Sequence, residues 1–183
     1  AETGKWLQRL RDPRRKPPDI TFEDSYTLEV GGQVLRLDYR GGNHALGNIF
    51  IHAPRQRALM IVDVFYPGWV PFAGLGLCRD IPGFVDHHDY ALEYDFDTLI
   101  SGHLTRLGRR EDVETQREYV TDLRREAQRA LAEVDQLPSW QYVHNVYGMF
   151  TNHFNRIASQ VAEELLPKLS LIHISEPTRQ AEI

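Results

Sequence analysis

His44, Asp63 and His103 stand where strands are expected to begin or end, and imidazole and carboxylate donors of this kind suit a divalent metal ion. His44 lies in Gly41-Gly42-Asn43-His44-Ala45-Leu46-Gly47-Asn48, just before a strand. Asp63 ends the apolar run Leu59-Met60-Ile61-Val62, and His103 follows Leu99-Ile100-Ser101-Gly102. Side chains at strand ends gather on one rim of a sheet, so donors far apart in sequence can meet there. A carboxylate closing an apolar strand needs a partner, because left alone it is costly to bury or takes up a proton. A divalent ion would supply that partner.

The other chemistry-bearing residues read as structural. His87 and His88 fall in Asp86-His87-His88-Asp89, where neighbours on a helix point in different directions, so a surface patch is expected. His52 belongs to a strand, and His144 and His153 to a helix, with surface or satisfied-core roles. Cys78, the only cysteine, has no activating neighbour and cannot form an internal disulfide.

The elements that must position the three donors are legible as changes of period. Tyr26-Thr27-Leu28-Glu29-Val30 and Gln33-Val34-Leu35-Arg36-Leu37 alternate around Gly31-Gly32, a β-hairpin signature. Further strands are expected at 48–52, 58–62 and 97–100. The loop after Asp63 is dense in aromatics, and Phe65, Tyr66 and Trp69 are candidates for one wall of a substrate pocket. Arg106, with Thr105 and Arg109, is a candidate contact for an anionic substrate group.

From residue 110 onward the period becomes helical. Val113, Val120, Leu123, Ala127, Leu131 and Val134 share one face over 110–136. Ser139 is placed to cap a second helix over 139–166, whose apolar face would hold Val143, Tyr147, Phe150, Phe154, Ile157, Val161 and Leu165. Strands followed by long helices predict a layered α+β domain with helices covering a sheet.

Composition narrows the field. The chain has 183 residues, 42% of them hydrophobic and 26% charged, which suits a folded domain. A net charge of -5 disfavours a nucleic-acid backbone partner, which attracts a basic surplus. The apolar window 58–78 contains Asp63, Pro67 and Pro71, so a buried strand and loop fit it better than a membrane span. A small-molecule substrate is the expected partner, with no nucleic acid and no membrane.

From about residue 21 to 103 the sequence resembles the metallo-β-lactamase superfamily. Asn43-His44-Ala45-Leu46-Gly47-Asn48 is similar to the family's His-x-x-Gly-Asn element. Met60-Ile61-Val62-Asp63 is similar to its strand ending in a metal-bridging Asp, and Ile100-Ser101-Gly102-His103 to its Gly-His element. The resemblance implies an α/β, layered α+β fold, the C-terminal half of an αββα sandwich with a mixed β-sheet and covering helices. It also implies a dinuclear zinc hydrolase in the intact parent, with His44 on the first metal, Asp63 bridging and His103 on the second.

The family's His-x-His-x-Asp-His cluster is missing from these residues. Truncation is therefore expected, with an inactive fragment as its consequence. Residues 1–19 would be a linker or a remnant of the missing half, 20–136 the superfamily half-domain and 137–168 a helical extension. Residues 169–183 are expected to be non-native, because Leu169-Ser170-Leu171-Ile172-His173-Ile174-Ser175-Glu176-Pro177-Thr178-Arg179 resembles one translated frame of a common sequencing adapter. The alternative is a non-catalytic α+β binding module whose two long helices meet a partner.

Overall fold

A computed structural model describes residues 18–71, 73–103, 106–136, 138 and 145–172. Phe72, Thr105, Ser139, Val143 and His144, the segment 1–17 and the tail 173–183 lie outside them.

The chain divides into two compact units, 1–117 and 118–183. The first is built on a five-stranded mixed sheet in the order β1-β2-β3-β4-β5. Its strands are β1 (Ser25–Val30), β2 (Gln33–Asp38), β3 (Phe50–Ala53), β4 (Ala58–Met60) and β5 (Thr98–Ile100). Val30 pairs with Gln33 across the hairpin, leaving Gly31 and Gly32 as a two-residue loop with φ of 57° and 74°. Both central residues at positive φ are what this turn demands, and glycine adopts that conformation without a Cβ penalty.

Strands β1 to β4 are antiparallel neighbours, whereas β4 and β5 run parallel. Parallel strands need a crossover, and helix α1 (Ile81–Leu92) lies in the connection. The period reading gives no bounds for this helix, only adjacent helical positions for His87 and His88. Its local signals are nonetheless in the sequence: the Asp80 side chain accepts a hydrogen bond from the Gly83 N–H, and Pro82 sits in the first turn, where its missing N–H costs nothing.

The two faces of the sheet differ. Phe50, His52, Leu59 and Leu99 are buried on one. The His87 ring of α1 stacks on Phe50, and Tyr94 just beyond α1 packs on both Phe50 and His52. Tyr26, Leu37, Ile51, Met60 and Ile100 form a cross-strand row on the other, and none of them is buried.

His87 and His88 are 1% and 0% exposed, which corrects the surface patch expected for them. An adjacent pair can be buried together because the ring nitrogens of both reach back to carbonyls one turn earlier, Gly83 for His87 and Phe84 for His88. That satisfies one polar atom of each within the helix.

Helix α2 (Arg110–Glu133) opens with Arg110, whose guanidinium donates to the carbonyls of Leu92 and Tyr94 and so caps the end of α1. The second unit holds the rest of α2 and helix α3 (Val146–Ile172). Ala130, Ile157, Val161 and Leu165 form its core, with Tyr119, Leu123, Ala127 and Val134 packed against them. Lys168 pairs with both Asp122 and Glu118.

The apolar faces expected of the helices are only partly right. Leu131 is 55% exposed, Tyr147 83%, Phe150 51% and Phe154 56%, while Ala130 and His153 are buried. The core runs along Ala130, Ile157, Val161 and Leu165, and Leu131 and Phe154 stand one position from buried residues, Ala130 and His153, on the flank of that face.

Candidate metal centre

The structure brings His44, Asp63 and His103 together at the rim of the sheet. Nε2 of His44 lies 3.5 Å from Oδ2 of Asp63, and Nε2 of His103 lies 2.5 Å from Oδ1. The Asp63 carboxylate thus sits between two imidazoles that come from segments before β3 and after β5.

Each donor is held by its own backbone device. The His44 loop is tied to the start of α1, since Asp80 N–H donates to the Asn43 carbonyl and Arg79 N–H to that of His44. The Asn48 amide donates to Asn43 Oδ1 at 3.0 Å and to the Val62 carbonyl at 2.6 Å, so it spans from the His44 loop to the residue preceding Asp63. Asp63 is itself in the left-handed region, at φ 65°, and its N–H donates to the Ser101 carbonyl two residues before His103.

Gly102 turns the chain towards His103 at φ 100°. A Cβ there would stand 2.6 Å from Cγ1 of Val62, so only glycine fits between β5 and the Asp63 corner.

Oδ1 of Asp63 and Nδ1 of His44 are both buried without a hydrogen-bond partner. The 2.5 Å approach of His103 to Oδ1 is a close contact that is not aligned as a hydrogen bond. A buried carboxylate oxygen left in this state is one that a cation would satisfy. Two imidazoles and a carboxylate are also donor types that zinc accepts. Even so, among the described residues no group of three His, Cys, Asp or Glu side chains is arranged to hold a metal ion. The donor types fit and the convergence is incomplete, because the imidazoles address opposite oxygens of Asp63.

The candidates for substrate contact separate from one another. Phe65 and Tyr66 are buried, at 2% and 3% exposure, with Phe65 edge-on to the His88 ring and the Tyr66 hydroxyl donating to the Asp63 carbonyl. Trp69 is half-buried. Arg106 places its two terminal nitrogens on the two oxygens of Asp112, at 3.0 and 2.6 Å, and its guanidinium lies over Gly68. To reach a substrate anion it would have to loosen that bidentate pair.

Sequence reasoning missed Gln116 entirely. It is 5% exposed, lies between Val113 and Val120 on the apolar face of α2, and bonds to the backbone of Val64 and Tyr66. A lone polar residue on a core stripe was the available signal, because a buried amide needs partners. Cys78 donates its thiol to the Asp80 carbonyl, and burial raises its pKa, so nothing there activates a nucleophile.

Comparison with known proteins bears on the fold that carries these residues. No family model and no curated protein matches the sequence. Among solved structures, a metallo-β-lactamase from Pontibacter korlensis aligns with 66% of this chain and 56% of its own, at 19% identity and a TM-score of 0.54. The fold is that of a metallo-β-lactamase. A double mutant of the sec-alkyl sulfatase PisA1 shares this chain's fold over 82% of this chain and 27% of its own, at 17% identity and a TM-score of 0.51. A metallo-β-lactamase family protein from Thermus thermophilus shares it over 92% and 60%, at 19% identity and 0.50. The chain therefore spans about half the length of the first of these metallo-β-lactamase-fold proteins.

Proposed function

We propose that this chain carries part of the metal centre of a zinc hydrolase with the metallo-β-lactamase fold, and that His44, Asp63 and His103 are its ligands. The observation that supports it is the meeting of three donors from separate segments around a carboxylate whose buried Oδ1 has the close His103 contact but no hydrogen bond. The neighbours include proteins named as a metallo-β-lactamase and an alkyl sulfatase, which favours hydrolysis of a small molecule and leaves its class open.

Zinc, when bound, lowers the pKa of its water towards ~7 and polarises the bond to be cleaved. This chain's own part is to hold Asp63 between the two imidazoles and to present them at an accessible rim, where side-chain exposure rises from 23% at His44 to 59% at His103. Trp69, half-buried where Phe65 and Tyr66 are buried, is the aromatic of this loop left to meet a substrate, while Phe65 and Tyr66 support the corner behind it. In this reading the remaining ligands, and the second layer for the unburied row Tyr26, Leu37, Ile51, Met60 and Ile100, come from sequence outside this chain.

The test is zinc binding by the full chain with His44→Ala, Asp63→Asn and His103→Ala. We expect weak affinity and negligible hydrolysis in the parent chain, with each substitution lowering affinity by about tenfold or more. Unchanged affinity in all three variants would falsify the ligand assignment, and tight stoichiometric binding by the chain alone would contradict the missing ligands.

A second reading, a non-catalytic binding module, is favoured by one observation, the exposure of Tyr147, Phe150 and Phe154 on α3. An upstream reading frame decides between the two: a His-x-His-x-Asp-His cluster supports the hydrolase, and an intact upstream domain without one supports the binder.

A further inference from the structure

We infer that Gln116 is a positioning residue for Asp63, acting through a side-chain amide that clamps the backbone on both sides of Phe65 and is itself oriented by His88. The metal role given to Asp63 rests on the reading above; the clamp rests on hydrogen bonds alone. Oε1 of Gln116 accepts from the Tyr66 N–H at 2.8 Å, and Nε2 donates to the Val64 carbonyl at 2.7 Å. The same nitrogen lies 2.9 Å from Nε2 of His88.

The orientation of this network is determined by its partners. Nδ1 of His88 faces the carbonyls of Phe84 and Val85, at 2.9 and 3.2 Å, so it must carry the proton. Nε2 is then a bare acceptor and takes the second amide proton of Gln116. Turning the amide over would set its oxygen against the Val64 carbonyl and the His88 lone pair, and would leave the Tyr66 N–H facing an N–H. Burial pushes the His88 pKa down to about 4, which keeps the ring in this neutral form at ordinary pH.

The clamp matters because the corner it holds is strained. An aspartate at φ 65° costs about 1–2 kcal/mol against the right-handed region and persists only where its surroundings impose it. Four bonds impose it here. The Asp63 N–H is taken by Ser101, its carbonyl by the Tyr66 hydroxyl, and the two residues on either side of Phe65 by Gln116. Removing Gln116 frees the backbone next to Asp63 while leaving every side chain of the rim in place.

The full chain without metal gives the first readout, amide hydrogen exchange followed by NMR. Gln116→Leu, similar in volume and without polar atoms, is expected to speed exchange at Asp63 and Tyr66 by about 100-fold while amides of β1 and β2 keep their protection. Should that variant fail to fold, Gln116→Met, close to glutamine in length and without its hydrogen-bonding amide, gives the same pattern. Phe96→Leu, a buried substitution elsewhere in the unit, is the control and leaves the Asp63 amide protected.

Cobalt(II) titration of the same variants gives the second readout, with the Kd of Gln116→Leu raised about 10-fold to 100-fold and that of Phe96→Leu unchanged. The inference is overturned if the Asp63 amide keeps its protection in both Gln116 variants, or if Phe96→Leu loosens it as much. A cobalt affinity indifferent to Asp63→Asn would instead overturn the ligand reading, and the exchange result would still decide the role of Gln116.

Discussion

Two sets of histidines in the first unit make opposite use of the same side chain. His87 and His88 are neighbours in sequence, both buried within α1, and both returned to the backbone by a bond to a carbonyl one turn back. His44 and His103 are separated by most of the sheet in sequence, yet they meet around Asp63 with part of each ring open to solvent. Burial lowers the pKa of His87 and His88, because a charged imidazole loses its hydration there. Adjacency in sequence therefore produced packing, and convergence across segments set two imidazoles about one carboxylate.

The largest effect separating the two sets is expected from His88→Ala. It would open a cavity beneath Phe65 and Phe84 and strand the second proton of Gln116, for a loss of about 4 kcal/mol seen as a lower urea midpoint. A loss below about 1 kcal/mol would show that the buried ring is not structural.

Acid should separate them next. The folded-state pKa of His88 is about 4 against an ordinary 6.5, so between these values the unfolded chain binds the proton and the folded chain does not. Stability is then fully present above about pH 6.5 and falls as pH drops towards 4, by up to about 3 kcal/mol from this group. His87 shifts in the same direction and adds to the loss. Urea midpoints at pH 7 and pH 4.5 measure it, and a flat profile would remove the buried neutral pair from the account.

The smallest effect is expected at the rim. Asp63→Asn keeps a residue that tolerates the left-handed conformation and removes only the charge, so the unfolding free energy from urea titration at pH 8 should stay within about 0.5 kcal/mol of the parent. A large loss would make Asp63 a structural carboxylate and erase the contrast with His88.

Much of this was legible in the sequence, for reasons that can be traced to particular residues. Gly31-Gly32 between two alternating runs sufficed for the hairpin, because few residues accept two successive positive φ values. The apolar run ending in Asp63 and the Gly-His step at 102–103 marked the strand ends where the donors lie. The long period of α2 was equally plain, though its inward face was read one residue off at Leu131, where Ala130 is the buried partner of Val161 and Leu165.

The start of helix α1 was missed because Ile81-Pro82-Gly83 looks like a loop by composition, while its capping by Asp80 depends on a geometry that composition does not carry. Phe154 was read as core because helical spacing shows which residues share a face, not which edge of that face is covered: His153 and Ile157 on either side of it are buried while Phe154 is 56% exposed.

What the sequence determined by itself is local: the turns, the strand and helix periods, and the residue types able to bind a metal, all of which depend on neighbours a few positions apart. The tertiary structure alone decided that His44 and His103 approach opposite oxygens of Asp63, that His88 is interior, and that Gln116 grips the corner behind the carboxylate. Those outcomes depend on which backbone groups remain unpaired once sheet and helices have packed. A buried donor or acceptor must then take whatever partner lies within about 3 Å, however distant it is along the chain.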